Sequence, residues 1–568
     1  MDILNKIKEE IIKEINGALG RKSAGVSDLV YPPNPGMGDL SLPAFNLAKE
    51  KGGNPAEIAA GLAAQIRKPA GVLETKAAGP YLNFILDKEL LAGEVLEDIR
   101  KEKGRFGRAR KKAGKIMVEF AHPNTHKAFH IGHLRNIITG EAVARLLEAG
   151  GHKVIRANYQ GDVGLHIAKC LWGVERLEKE YETAKKDGVD GRAVFLGKAY
   201  AFGSQNYEDD GEAKKEIIGL NKKIYDQDKS IRKLYQETRQ WSLDYFAKIY
   251  RRVNTRFDRL YFESETFASG KAMVLKSLER GIFKRSDGAV IFEGEKYGLH
   301  NRVFINSEGN PTYEGKDVGL AALQFKEYKP EKIIHVVGPE QAEYFKVVFK
   351  ALELILPEHR GEEIHLPYGW VRLKEGKMSS RLGNVILGEW LLDEVKKEIL
   401  KIVENSGRLK DKGKTAEKIA LGAVKYSILK NGLTKDIAFD INESISLSGN
   451  SGPYLQYTYA RINSILKKAG RRSGPGRAGL KEEKELGLVL ALAKYPEAVT
   501  RAGERMDPSE IAKYLFELAQ SFNDYYHSVP VLKAEKAMRE ARLRLIGAIS
   551  QVLENGMGLL GMETVTEM

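Results

Sequence analysis

Between Lys115 and Tyr159 the chain passes through an apolar run IMVEF, a polar loop AHPNTHKAFHIGH, an apolar-periodic stretch LRNIITGEAVARLLEA, a Gly150-Gly151 stop and a second β-rich run KVIRANY. Two β-rich runs joined through a helix read as a strand-helix-strand unit, and such units assemble into parallel sheets. Downstream, AVIFEG, KIIHVVG and EEIHLPYGWVRL are further β-rich runs, and the helix EYFKVVFKALELIL makes a crossover between the last two. The expected fold class is therefore α/β.

The flanks differ in pattern. Residues 1–110 alternate helical stretches with turn-rich loops such as YPPNPGMGDLS and close on the basic run RFGRARKKAGK, which reads as a linker. The opening segment places Ile3, Ile7, Ile11, Ile15 and Leu19 at helical spacing, an amphipathic helix and not the unbroken apolar run of a signal peptide. A charged helical stretch from about 175 to 255 reads as an insertion into the sheet domain, and from about 415 the pattern is helical, interrupted by AGRRSGPGRAGLK. The expected domains are 1–110, 111–410 and 411–568, in keeping with a length of 568 residues. No apolar run reaches the roughly 18 to 20 residues that span a bilayer. The single cysteine, Cys170, excludes an internal disulfide framework and a thiolate zinc site. A cytoplasmic protein without membrane attachment is expected, and a net charge of +14 favours a polyanionic partner.

The polar loop carries His122, His126, His130 and His133. Histidines three or four apart share a helix face and can bind a metal, but Pro123 and Asn124 favour a turn and Gly132 sits where a helix only begins, so no metal site is assigned. The alternative follows from position. A loop between a strand end and a helix N-terminus is where unpaired amides and the helix dipole favour bound phosphate, and imidazoles there can donate to phosphoryl oxygens. Gly132, lacking a side chain, would let a flat purine approach the backbone. The chain has no GxxxxGK[ST] phosphate loop, but a second Gly- and Lys-bearing loop, LKEGKMSSRLGNV (Leu373–Val385), lies downstream before a helix.

In this order the two loops resemble the HIGH and KMSKS motifs of class I aminoacyl-tRNA synthetases. The resemblance narrows to the arginyl-tRNA synthetases over nearly the whole chain. It is carried by VEFAHPNTHKAFHIGHLRN, NYQGDVGLHIAK, SGNSGPYLQYTYARINSIL, FNDYYHSVPVL, REARLRLIGAISQVLENGMGLLGM and, at the front, GDLSLPAFNLAKEKGGNPAEIA. It implies a Rossmann-like parallel-sheet catalytic domain with a helical insertion, an α+β N-terminal additional domain that binds tRNA, and an all-α C-terminal anticodon-binding domain. The implied activity is ATP-dependent conversion of L-arginine to arginyl-adenylate with release of pyrophosphate, then transfer to the 3′-terminal adenosine of tRNA(Arg). Mg²⁺ accompanying ATP, a need for bound tRNA in arginine activation and the absence of an editing domain are implied as well. A monomer is expected.

By the same resemblance His130, His133 and Lys377 act on the phosphates, and Gly132, Met378 and Ser379 join them in holding ATP. A pocket for arginine must offer carboxylates and other acceptors to five fixed N–H donors. Asp317 and Tyr313, four apart at a helix start, Glu119 and Asn124 at a strand end, and Gln341 are candidate acceptors, and the resemblance implies that Asp317 and Tyr313 meet the guanidinium side while Glu119, Asn124 and Gln341 complete the site. Tyr454, Tyr457, Tyr459 and Arg461 are candidate tRNA contacts, of which Tyr454, Tyr457 and Arg461 are carried forward. One departure matters: the second lysine of KMSKS is replaced by Ser380, with Arg381 following, and Lys127, three residues before His130, is expected to supply the missing charge. Two rivals remain at this point, a non-catalytic tRNA-binding paralogue and another HIGH-type nucleotidyltransferase. Intact His130, His133 and Lys377 oppose the first, and the second has no use for the helical C-terminal segment.

Overall fold

The structure is a computed structural model and describes residues 2–374, 386–404, 411–470 and 479–568. Helix α1 (Ile3–Leu19) opens on the Asp2 carboxylate, which accepts from the Asn5 amide at 2.9 Å, and closes on Gly20 in the left-handed region at φ 67°. Its buried stripe is Leu4, Ile7, Ile11 and Ile15, with Ile3 and Leu19 at the edge. That stripe shares one core with an antiparallel sheet of β1 (Leu40–Pro43), β2 (Val72–Ala78) and β3 (Tyr81–Leu86), in the order β1-β3-β2, and with helix α2 (Lys88–Glu102). The basic run that follows is anchored and not a free linker. Phe106 is buried against Tyr495 of the C-terminal region, ring centroids 6.0 Å apart, and a Cβ on Gly107 would lie 2.6 Å from the same ring.

The central sheet begins with β4 (Lys115–Glu119), crosses through helix α3 (Ile131–Ala149) to β5 (Lys153–Gln160), and after the insertion, whose last helix is α4 (Lys229–Arg252), reaches β6 (Arg259–Phe262) and helix α5 (Glu263–Glu279). The insertion has satellite cores of its own, around Ile167, Leu171 and Ile217 and around Cys170, Phe195 and Trp241. A separate antiparallel sheet follows, β7 (Lys284–Ser286), β8 (Ala289–Phe292) and β9 (Arg302–Ile305). This corrects one expectation: AVIFEG belongs to that small sheet, and the short β6 takes the place in the parallel sheet. Helix α6 (Tyr313–Tyr328), β10 (Lys332–Val337), helix α7 (Ala342–Ile355) and β11 (Glu363–Pro367) complete the domain.

All neighbouring pairs in the sheet β11-β10-β4-β5-β6 are parallel. From β4 the chain builds outward through β5 and β6; β10 and β11 are then laid down on the other side of β4. At such a switch point the loops after adjacent strands part, leaving a crevice beyond the carboxyl ends. Glu119 ends β4 beside His335 of β10, so the crevice begins at those two residues.

The run EEIHLPYGWVRL splits into β11 and β12 (Val371–Leu373), the latter pairing in parallel with β13 (Ile437–Phe439). The remaining chain is helical, including Gly388–Glu404, Lys412–Leu429, Gly452–Lys468, Ser509–Ser528 and Lys536–Leu559. It touches both other parts. Lys8 and Tyr31 of the N-terminal part bond the carboxylate of Glu497, the tyrosine at 2.6 Å. Arg145 of α3 donates to Gly558 O at 3.0 Å, and the buried Lys425 donates to Val253 O at 2.8 Å and to Gly561 O.

Candidate active site

The loop between β4 and α3 carries backbone that L residues adopt at a cost, with Ala121 at φ 85°, His122 at 49° and His126 at 62°. Side chains from neighbouring elements hold it there. Asn136 accepts from the Ala121 amide at 2.6 Å, Asn158 from the His122 amide at 3.2 Å and Ser242 of α4 from the His126 amide at 2.9 Å. The His126 ring is used up structurally, its nitrogens bonded to Thr125 at 3.1 Å and Thr238 at 2.8 Å. Four histidines close in sequence thus do not converge.

His130 and His133 do converge. His130 is the N-cap of α3: its Nδ1 accepts from the Gly132 amide at 3.1 Å, and His133 Nδ1 accepts from the His130 amide at 3.2 Å, a capping box made of imidazoles. The rings stack with centroids 3.7 Å apart. Burial, and then Lys127, hold His130 below its ordinary pKa, and burial with the neighbouring His130 and His122 holds His133 well below. Both rings are therefore neutral at pH 7. Because each Nδ1 accepts, each proton sits on Nε2, and among the described residues neither Nε2 has a partner. Two neutral N–H donors are thus presented at a helix N-terminus, a site for phosphoryl oxygens.

A Cβ on Gly132 would lie 2.9 Å from the His130 ring, so it is the folded-back imidazole that requires this glycine. The residues that follow the second motif, Ile386 to Gly388, are adjacent in space. Ile131 N donates to Ile386 O at 2.9 Å, Gly388 N to Phe129 O at 2.9 Å, and His130 pairs with Leu387. Lys377, Met378, Ser379, Ser380 and Arg381 lie outside the described residues.

Beside this cap a cleft of about 470 Å³ opens beyond β4, β5 and β10, lined among others by Glu119, Asn124, Tyr313, Asp317 and Gln341. All five side chains expected to meet arginine are brought together. Asp317 is half-buried and accepts from the Tyr344 hydroxyl at 2.6 Å; desolvation of its carboxyl within the cleft wall pushes it up to about 7 despite that bond. Among the described residues no cation pairs with it. Glu119 accepts from Gln324 and, at 3.0 Å, from His335. Burial would raise its pKa, but the charge of His335 wins and holds it below its ordinary value. Tyr313 stands at the rim, 64% exposed, with the Lys316 ammonium 5.0 Å from its ring centroid, and Lys316 pairs with Glu263 at 2.7 Å. Gly161, at the end of β5, leaves room for Asn124, whose Oδ1 would lie 2.1 Å from a Cβ there.

Comparison with known proteins finds three family models along the chain: the arginyl tRNA synthetase N-terminal domain over residues 5–86, the class I (R) tRNA synthetase catalytic domain over 95–441, and the DALR anticodon-binding domain over 455–568. The arginine–tRNA ligase of Treponema denticola is 37% identical over 557 residues, covering 93% of this chain and 92% of that protein. The chain belongs to the arginyl-tRNA synthetases. The arginine–tRNA ligase of Bdellovibrio bacteriovorus is 35% identical over 95% of this chain and 94% of its own. The solved arginyl-tRNA synthetase of Thermus thermophilus superposes with a TM-score of 0.83 at 28% identity, covering 99% of this chain and all of that one.

For an arginyl-tRNA synthetase the cleft holds more than its sequence announces. His335, Gln324, Tyr344, Glu263 and Lys316 belong to no motif of the sequence, and its signals for them are a lone histidine inside the buried apolar strand KIIHVV and a lysine between Tyr313 and Asp317. Lys127 is half-buried, its ammonium 5.5 Å from the Tyr200 ring centroid. Tyr454, Tyr457 and Arg461 share a half-exposed face, joined by Asn523: it donates to Tyr454 OH at 2.9 Å and accepts from Arg461 at 2.7 Å, while Arg461 also donates to Tyr457 OH at 3.1 Å. Tyr459 is buried in the core and drops out as a nucleic-acid contact.

Proposed function

We propose that this arginine–tRNA ligase carries out both of its half-reactions at the crevice between β4 and β10. Arginine enters with its guanidinium between Asp317 and Glu119 and its amino end toward Asn124 and Gln341, Tyr313 closing the rim. The observation that carries this assignment is Asp317, a half-buried carboxyl that lines the cleft and whose one donor among the described residues is Tyr344. A fork of N–H donors satisfies such a group bidentately.

ATP lies against the cap of α3. An arginine carboxylate oxygen forms a bond to the α-phosphorus, the bond from that phosphorus to the bridging oxygen breaks, and pyrophosphate leaves with the electron pair. Charge spreads over the phosphoryl oxygens during transfer, and the Nε2–H groups of His130 and His133 are fixed beforehand to receive it, which is where electrostatic preorganisation acts. Lys127 and Lys377 add the positive charge, with Lys127 standing in for the lysine absent at Ser380, and Gly132, Met378 and Ser379 complete the ATP site. In the second step a hydroxyl of the terminal ribose of tRNA(Arg) attacks the acyl carbon and AMP departs.

Mg²⁺ is proposed to travel on the phosphates of ATP as part of the substrate, since the described residues contain no group of three or more carboxylates, imidazoles or thiolates able to hold it. The division into 1–110, 111–410 and 411–568, the tRNA contacts at Tyr454, Tyr457 and Arg461, the monomeric state and a cytoplasmic place of action belong to the same proposal. Among the described residues no helix is long and apolar enough to cross a membrane. ATP–pyrophosphate exchange tests the chemistry: label should enter ATP when L-arginine and tRNA are both present. Exchange supported equally by other amino acids would overturn the assignment of the cleft.

A further inference from the structure

Behind the residues that face the cleft runs a second line of polar side chains. His335 stands within β10, between β4 and β11. Its Nδ1 lies 3.0 Å from Glu119 Oε1, and its Nε2 meets Glu363 Oε2. Carboxylates accept and cannot donate, so both nitrogens must carry protons and the ring is an imidazolium. All three side chains are buried. Stability gives no reason for this arrangement, because a buried charge pair is commonly no better than apolar residues of the same volume. Four buried atoms on cleft-lining residues have no partner among the described residues, His122 Nε2, Arg302 Nε, Gln324 Oε1 and Glu363 Oε1, and the last two are acceptors open to a donor-rich ligand.

We propose that His335 is a positioning residue for arginine recognition: clamped between Glu119 and Glu363 across three adjacent strands, it holds the Glu119 carboxylate as a pure acceptor toward the guanidinium. The proposal rests on the arginine assignment of the cleft. The titratable groups around the ring are Glu119 on β4, Glu363 and His365 on β11, Asp317 on α6 and His122 in the histidine loop. Burial holds His365 and His122 below their ordinary pKa, so neither brings a competing charge at pH 7, while Glu119 and Glu363 together raise His335 well above its own against the effect of burial. Phe345 and Phe349 of α7 cover the ring, centroids 5.4 and 5.7 Å away, and keep water from it.

His335→Gln in the full chain, assayed with tRNA, removes the charge while keeping an amide donor. Glu119 then titrates upward, so the KM for arginine should rise on the order of thirtyfold or more, the scale of breaking a buried charge pair, while the KM for ATP stays within about twofold. Plotted against pH between 6 and 8, arginine binding should require the loss of two protons in the variant where the parent requires one. Glu363→Gln provides the independent check should the first variant fail to fold: with one carboxylate gone, His335 loses its proton at lower pH, and arginine affinity should fall toward pH 9 where the parent holds level. Equal losses in the KM for arginine and ATP, or an unchanged pH slope in His335→Gln together with no alkaline limb in Glu363→Gln, would overturn the positioning role. Failure of the arginine assignment itself would be seen separately, as a parent chain without arginine-dependent exchange.

Discussion

Asp317 concentrates the electrostatics of the site in one residue. Its carboxyl is pushed up to about 7 by desolvation, so in the free protein it is largely protonated at pH 6, whereas a bound guanidinium requires it ionised. Arginine binding should release nearly one proton at pH 6 and few at pH 8, and affinity should rise with pH up to about 7 and then level off. Calorimetric titrations in two buffers of different ionisation heat measure this directly; equal heats in both buffers at pH 6 would remove Asp317 from the guanidinium. In the free protein the sign for stability is the reverse. The folded state holds a proton that the unfolded chain gives up near pH 4, so this group's contribution falls as pH rises from about 4 to 7. Asp317→Asn, which presents donors to donors, should cost about 2–5 kcal/mol of arginine affinity with little change for ATP, as read from the two KM values. Glu119, Asn124, Tyr313, Asp317 and Gln341 could be named from the sequence as acceptors at a strand end or helix start, their roles being implied by the resemblance, and the fold brings the five to one cleft. His335 and Gln324 could not, because one reads as a polar interruption of a buried strand and the other as an ordinary helical amide, and their role exists only once β4, β10 and α6 are side by side.

At the scale of elements, the helix opened by His130 unites fold and chemistry. The same two Nδ1 atoms that cap α3 fix which nitrogen of each ring points its proton outward. Gly132→Ala places a methyl 2.9 Å from the His130 ring and must displace it. The loss of that cap should cost about 0.5–2 kcal/mol in stability by urea unfolding, and adenylate formation should slow by roughly tenfold or more while arginine affinity is kept. A variant that slowed only through weaker arginine binding would argue that the cap does not serve ATP. Long periodic elements such as α3, α4 and α7 were readable from their apolar spacing. Two sheet assignments were not: RLYF is too short and too charged at its start to announce β6, and AVIFEG has the composition of a core strand but pairs within a local antiparallel sheet. Strand pairing is decided by partners far along the chain, which local pattern does not contain.

At the scale of the whole molecule, the three parts of the chain share one apolar core that runs from Leu4 to Val565. The N-terminal part is fastened to the C-terminal helices by Lys8 and Tyr31 on Glu497 and by Phe106 on Tyr495. The sequence showed a basic run at this junction but not its anchor, since a single aromatic residue among arginines carries no periodic signal. Lys8 is buried, so Glu497→Gln leaves an ammonium without its counter-charge and should lower stability by about 3–5 kcal/mol in chemical unfolding; an unchanged midpoint would mean that the junction is held by apolar packing alone. The helix Tyr495–Arg505, to which the N-terminal part is fastened, also packs on α3, the helix capped by His130. The most direct measurement is aminoacylation of a mixed tRNA pool with each of the twenty amino acids in turn, in the presence of ATP and Mg²⁺. Arginine alone should be esterified to tRNA, and the charge should disappear in Asp317→Asn at the same arginine concentration. Efficient charging with any other amino acid, or arginine charging unaffected by Asp317→Asn, would contradict the assignment of this cleft.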